Sequence, residues 1–325
     1  MDQLFEIGRK TFDTPEFRGI TFIESEAKSI INRVPGGALP FDWTINPYRG
    51  CSHACTYCFA RPTHTYLDMN AGRDFETKIV VKVNAPEVLR RELAAKRWKG
   101  EHIAMGSGTD PYQRAEGRYT LMRGIMKALI DHRNPFSILT KGTLILRDLD
   151  LLQRAAEVAP VSAAFSIGTL DEGVWRETEP GTPHPKARIE AIRTLTEAGI
   201  PTGVLMAPIL PGISDRPEQL REVVEAAIDA GATHVSPILL HLRPGVREEF
   251  LPWLKEAHPD LVPRYLQMYQ HPYGPKAMRE GLGRQVSSMV SAAGGIRRGV
   301  EPARRFFRRD RERPRVGTAE QLKLL

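Results

Sequence analysis

Cysteine is almost absent from this chain. Three occur among 325 residues, Cys51, Cys55 and Cys58, and none elsewhere. That usage excludes a fold stapled by disulfides, which needs an even, dispersed set, and points to a reducing, cytoplasmic setting where thiols stay free. Long hydrophobic runs are missing as well. No stretch approaches the roughly 18 uninterrupted apolar residues of a membrane span. The opening MDQLFEIGRK has no apolar segment behind a positive one, so neither a membrane nor a secretory destination is expected. No G-x-G-x-x-G opens a helix, which removes the usual support for a dinucleotide crevice. An excess of charge is also missing from most of the chain. The net balance is +7, but residues 297–315 hold nine arginines against Glu301, Asp310 and Glu312, a local balance of +6. The basicity is therefore that of a tail.

What is present is an ordinary globular composition, 41% hydrophobic and 26% charged, in a length that suits one large α/β domain or two modest ones. Short apolar or β-branched runs alternate with longer amphipathic ones. The runs predict strands over 41–46, 102–107, 136–141, 161–168, 202–210 and 234–242. Helices are predicted over 86–98, 121–132, 147–159, 185–199 and 217–231, the last two ending on Gly199 and Gly231 as C-caps. The strand candidates are too short and apolar for a sheet with one wet face, so they read as parallel strands covered by helices. Six βα units in a row predict an α/β fold, a partial (β/α)6 TIM-type barrel with its chemistry at the strand C-terminal ends. Residues 1–40 read as an N-terminal extension, 41–270 as the barrel and 271–325 as a basic tail, partly disordered.

The cysteines fall in NPYRGCSHACTYCFARPTHTY, residues 46–66, directly after the first strand, with spacing C-x3-C-x2-C. Thiolates at such intervals wrap one compact metal centre from a single loop. Tetrahedral zinc needs a fourth ligand, which His53 or His64 would supply. An iron–sulfur cube normally takes four cysteines. A [4Fe–4S] cluster held by three leaves one iron open to a small molecule.

This loop resembles the radical S-adenosylmethionine (SAM) superfamily, whose signature C-x3-C-x-aromatic-C is matched by Cys51, Cys55, Tyr57 and Cys58. PYRGCSHACTYCFAR, GTDPYQ, LTKG, EPGTPHPKAR and APILPGISD are similar to the spore-photoproduct-lyase-like branch, over roughly residues 20–270. The resemblance implies that the open iron chelates S-adenosyl-L-methionine through its amino and carboxylate groups. One electron, from a donor such as flavodoxin or ferredoxin, then yields methionine and a 5′-deoxyadenosyl radical that abstracts hydrogen from a substrate. It also implies SAM contacts from Tyr57, from Gly106, Ser107, Gly108, Thr109 and Asp110 at the second strand's end, and from Lys141, Ser166, Arg188 and Ile209.

Each of these has a plain structural reading beside it. Tyr57 also reads as a packing aromatic and Asp110 as the cap of an Asx-turn. Lys141 reads as a snorkelling strand-end lysine and Ser166 as a hydroxyl bonded to backbone. Glu179 and Arg188 read as an ion pair. One departure bears on the reaction. The lyase uses a further cysteine near the end of its second strand as a hydrogen-atom donor, and this chain has no fourth cysteine. The substrate stays open, with nucleic acid one reading because the tail pairs arginine with Phe306 and Phe307. The rival is a zinc-containing nucleic-acid-binding protein that uses the cysteines structurally. No residue is assigned a catalytic role from sequence, and nothing fixes the oligomeric state.

Overall fold

The computed structural model describes residues 4–35 and 39–295. The strands are β1 (Leu4–Thr11), β2 (Thr21–Ala27), β3 (Ile31–Arg33), β4 (Trp43–Ile45), β5 (Tyr48–Arg49), β6 (Lys78–Lys82), β7 (Ile103–Met105), β8 (Phe136–Thr140), β9 (Val161–Ser166), β10 (Thr202–Ile209) and β11 (Val235–Leu239). The helices are α1 (Arg73–Thr77), α2 (Ala85–Leu93), α3 (Arg114–Tyr119), α4 (Leu121–Asp131), α5 (Leu149–Val158), α6 (Glu172–Thr178), α7 (Pro185–Glu197), α8 (Pro217–Asp229), α9 (Arg247–Ala257), α10 (Val262–Met268) and α11 (Lys276–Ala292).

Six strands, in the order β4-β7-β8-β9-β10-β11, form the parallel barrel wall. They are the six read from the sequence, and α2, α4, α5, α7 and α8 coincide with the five predicted helices to within a few residues. Burial on both faces explains why the runs lack alternation: every residue of β7 is buried, and only Ala164 of β9 is not. The helices cover the wall with single apolar stripes. In α4 the stripe is Leu121, Met122, Ile125, Met126 and Leu129, all buried, and each such side chain contributes about 1.5–3 kcal/mol.

Residues 4–33 do more than lead into the barrel. β1 and β2 join β6 and β5 in a separate four-stranded sheet, order β1-β2-β6-β5, while β3 pairs antiparallel with β4 at the barrel's edge. The two-residue β5 therefore fixes the chain immediately before Cys51. At the other end, residues 276–292, assigned above to the tail, form α11. Its Leu282 and Val286 are buried in the main core cluster, with Met278 and Met289 packed against it. Its polar faces hide this docking stripe from a compositional reading. The arginine-rich segment 297–315, with Phe306 and Phe307, lies outside the described residues. Among the described residues no helix is long and apolar enough to cross a membrane.

A second core cluster caps the barrel mouth. It joins Cys55 and Tyr57 to Leu210, Leu240, Leu242, Val246, Phe250 and Tyr265.

Candidate active site

The cysteine loop is held by backbone-directed contacts from residues distant in sequence. Cys51 N–H donates to Phe75 O (2.9 Å), and Ser52 N–H to Gln113 Oε1 (3.0 Å). Gln113 Nε2 returns a bond to Gly50 O (2.9 Å), which also accepts from Thr109 Oγ1 (2.7 Å). Arg61, buried behind the loop, donates from Nε and Nη2 to Cys55 O (3.2 and 2.9 Å), from Nη1 to Ala71 O and Gly72 O, and pairs with Glu76. The loop following α6 closes over it: Gly181 N–H donates to His53 O (3.1 Å), and a Cβ on Gly181 would stand 2.2 Å from Ser52 O. Sequence alone does not single out Gln113 and Arg61 within GTDPYQ and PYRGCSHACTYCFAR. Nothing in their local pattern says that they turn inward.

The end of β7 braces this loop. Gly106 takes φ +94°, and a Cβ there would sit 1.9 Å from Leu139 O, so glycine is required. Ser107 Oγ and Thr44 Oγ1 share a hydrogen bond of 2.6 Å, and Gly108 N–H donates to Asn46 Oδ1 (3.0 Å). Asp110 is fully engaged by protein. It accepts from Thr140 Oγ1 (2.6 Å), from the N–H of Lys141 (2.6 Å) and from the N–H of Tyr112 (2.8 Å), the last being the Asx-turn, with His53 Nδ1 at 3.3 Å. Burial acts to raise its pKa, but His53 and these donors outweigh it and hold the carboxyl at about 2.

A buried polar network lies under Tyr57. Its phenol donates to Glu179 Oε1, and the other oxygen of Glu179 pairs with Arg188. Lys141 Nζ donates to Ser166 Oγ (2.5 Å), lies 3.9 Å from Glu179 and sits 5.7 Å from the Tyr57 ring centroid. Ser166 Oγ donates onward to Ala207 O (2.6 Å). Burial works to raise the Glu179 pKa, yet Arg188, then Lys141 and the hydrogen bonds hold it at about 2. Arg188 departs from its expected contact with the SAM carboxylate. Its side chain is fully buried, and its three guanidinium nitrogens are spent on Pro183 O, Ser166 O, Glu179 and Thr182. Lys141 is thus the cation this network leaves nearest the mouth. Ile209 has its side chain wholly in the main core, and its carbonyl accepts from Leu240 N–H (3.0 Å).

The three thiols are free, with Cys51 and Cys55 buried and Cys58 partly so. Burial pushes all three pKa values up, Cys55 to about 12, so metal binding must displace protons. The donor set fits an iron–sulfur cube. Three thiols share one loop, the chain has no fourth, and two interleaved hydroxyls, Ser52 Oγ and Thr56 Oγ1, are buried without a hydrogen-bond partner. They are donors of the kind that cluster sulfurs accept. The zinc reading finds no support. His64 Nε2 is bonded to Lys78 O (2.9 Å) beside Phe75 and His53 Nδ1 is turned to Asp110, so neither nitrogen is offered as a fourth ligand.

Parallel barrel, cysteine loop and donor set together define an enzyme that works through a three-cysteine iron–sulfur centre and an external ligand. The Radical SAM superfamily model matches residues 45–227, more than half of the chain, and the chain belongs to that superfamily. It is a radical SAM enzyme, with a [4Fe–4S] cluster and SAM as its cofactors. An uncharacterized protein of Mycobacterium tuberculosis is 50% identical over 279 residues, 85% of this chain and 82% of its own length. A radical SAM Nalpha-GlyT isomerase of Pseudomonas phage M6 is 27% identical over 194 residues, 58% of this chain and 37% of that one. Spore photoproduct lyase complexed with dinucleoside spore photoproduct shares the fold, with a TM-score of 0.63 and 16% identity over 86% of this chain and 83% of its own.

Proposed function

We propose that the enzyme abstracts hydrogen from a nucleoside-bearing substrate held at the C-terminal mouth of the barrel. The observation that carries the chemistry is the set of three free thiols in one loop at the end of β4, with no fourth cysteine in the chain. The substrate class is supported by the solved relative that holds a dinucleoside photoproduct.

Cys51, Cys55 and Cys58 would hold the cluster, which when bound would supply the reductive cleavage of SAM on which hydrogen abstraction depends. An external reductant of the flavodoxin or ferredoxin kind provides the electron. The chain's own residues bind and orient. Lys141, steered by Ser166 and Glu179, offers its ammonium to the carboxylate of SAM. The half-buried backbone of Gly106 to Gly108 receives the methionyl end, close approach being possible because two of the three lack a side chain. Tyr57 closes the loop side. Thr109 and Asp110 act by tying the β7 end to the cysteine loop and to β8, and the backbone around Ile209 forms the adenine side. The apolar cluster of Leu210, Leu240, Val246 and Phe250 beside Cys55 keeps water from the loop. With no cysteine outside the loop, a protein thiol cannot return hydrogen to the product radical, so the outcome departs from the lyase's repair reaction at that step.

Protein reconstituted without oxygen should hold about four irons per chain, as one cubane requires. With dithionite and SAM it should release 5′-deoxyadenosine. Substrate deuterated at the attacked carbon should pass deuterium into that product. Reconstituted protein that takes up no iron would falsify the proposal.

A further inference from the structure

Beyond the end of β11, three side chains, none of them acidic, gather around the ring of Tyr273. His241 bridges to Tyr273 in a short antiparallel pair and packs edge-on to it, centroids 4.6 Å apart. Arg243 lies over the same ring at 5.7 Å and donates from Nη2 to its hydroxyl (2.8 Å). Arg279, in the first turn of α11, approaches the ring at 5.9 Å and spends one donor on Gly274 O (3.2 Å). Both arginines are exposed, and Tyr273 is 43% exposed.

No counter-charge accompanies them. Among the described residues neither Arg243 nor Arg279 has a carboxylate partner, whereas other surface arginines such as Arg176, Arg193 and Arg264 each have one. The first turn of α11 holds no acid, and Glu280 pairs with Lys276 at 3.7 Å. Two guanidinium groups held at one ring repel each other. The ring's negative face eases that repulsion in part, and a bound anion would remove it.

The cluster's position gives the anion its meaning. Leu240 is bonded to Ile209 O, and Leu240 and Leu242, on either side of His241, pack in the cluster that contains Cys55 and Tyr57. Arg243, covalently next to Leu242 of that cluster, therefore sits on the rim of the mouth, and Arg279 joins it there through the Tyr273 ring. We propose that Arg243 and Arg279, held by Tyr273, form a phosphate clamp for a nucleic-acid strand whose reacting nucleoside occupies the mouth. This rests on the nucleoside reading given above and names where the strand's backbone is held. Guanidinium suits the task because its planar fork meets two phosphate oxygens at once.

The test uses the full-length, anaerobically reconstituted enzyme and its Arg243→Gln/Arg279→Gln variant, with iron content and thermal midpoint as checks on folding. Fluorescence anisotropy is read with short single-stranded DNA and RNA, and competition with a mononucleotide and with inorganic phosphate. The variant should bind the oligonucleotide at least about tenfold more weakly. Its slope of log affinity against log salt should be shallower by roughly 1.4, at about 0.7 per phosphate contact on a single strand. Equal affinity and equal slope in both proteins, or no oligonucleotide binding by the wild type, would overturn the clamp. Inorganic phosphate that competes as well as the oligonucleotide would replace the strand by a small anion and overturn it too. Deoxyadenosine release by the wild type is measured separately. Its absence, with the binding loss still present, would sink the radical reading and leave the clamp standing.

Discussion

Glu179 shows how one carboxylate decides whether a buried network stands. Arg188 beneath it is fully buried and Tyr57 above it nearly so, so neither finds water if the carboxylate is removed. Glu179→Gln should therefore destabilise the protein by about 3–5 kcal/mol, the cost of leaving a buried charge unpaired. Urea unfolding measures it, and adding Arg188→Met should restore part of the loss because the orphaned charge is gone. A variant no weaker than wild type would show that Arg188 finds another anion. Cys55→Ala acts differently. It removes a thiolate from a set with no spare, and iron should fall from about four per chain to near zero by colorimetric assay. Retention of a full cluster would mean that Cys55 is not a ligand.

The elements matter because loops, not strands, carry the ligands, and loops must be braced. Gln113 bonds Gly50 O and Ser52 N–H at once, across 63 and 61 residues of sequence. Gln113→Ala should leave the barrel's circular dichroism unchanged while iron occupancy after reconstitution drops severalfold, since only the cysteine loop is released. An unchanged iron content would reduce Gln113 to a packing residue. Gly106→Ala strikes the wall itself. The added Cβ would meet Leu139 O at 1.9 Å in a backbone conformation that disfavours a side chain, so β7 and β8 must part. The thermal midpoint should fall by several degrees at least, and calorimetry decides it.

At the scale of the whole molecule, two buried carboxylates, Asp110 and Glu179, make stability depend on acid pH. Asp110 and Glu179 both have folded pKa values of about 2, against ordinary values of 3.8 and 4.5. A depressed carboxyl pKa contributes stability that is complete above the unfolded value and is lost as pH falls through the folded one. Unfolding midpoints in urea should thus decline between about pH 4.5 and pH 2, and the Glu179→Gln variant should show a shallower decline. A flat profile in the wild type would mean that these carboxylates titrate normally.

The barrel was legible because strands buried on both faces spell short apolar runs, and because helices between them repeat an apolar position every three or four residues. The cysteine signature was legible for a chemical reason: thiols so few and so closely spaced have one compact use. Other features were not. β5 is two residues long and β6 follows a long excursion from it, so no local pattern marked their sheet. The docking stripe of α11 is thin among glycine, arginine and serine. Arg188 reads from sequence both as a SAM contact and as the partner of Glu179, and only the folded chain brings Glu179, Thr182 and the carbonyl of Ser166 around it. Sequence by itself determined the secondary structure of the wall and the identity of the metal-binding loop, since both depend on neighbours along the chain. Tertiary structure decided which charged and polar groups face one another, as in the pairing of Tyr57 with Glu179 across 122 residues, because burial and partnership depend on neighbours in space.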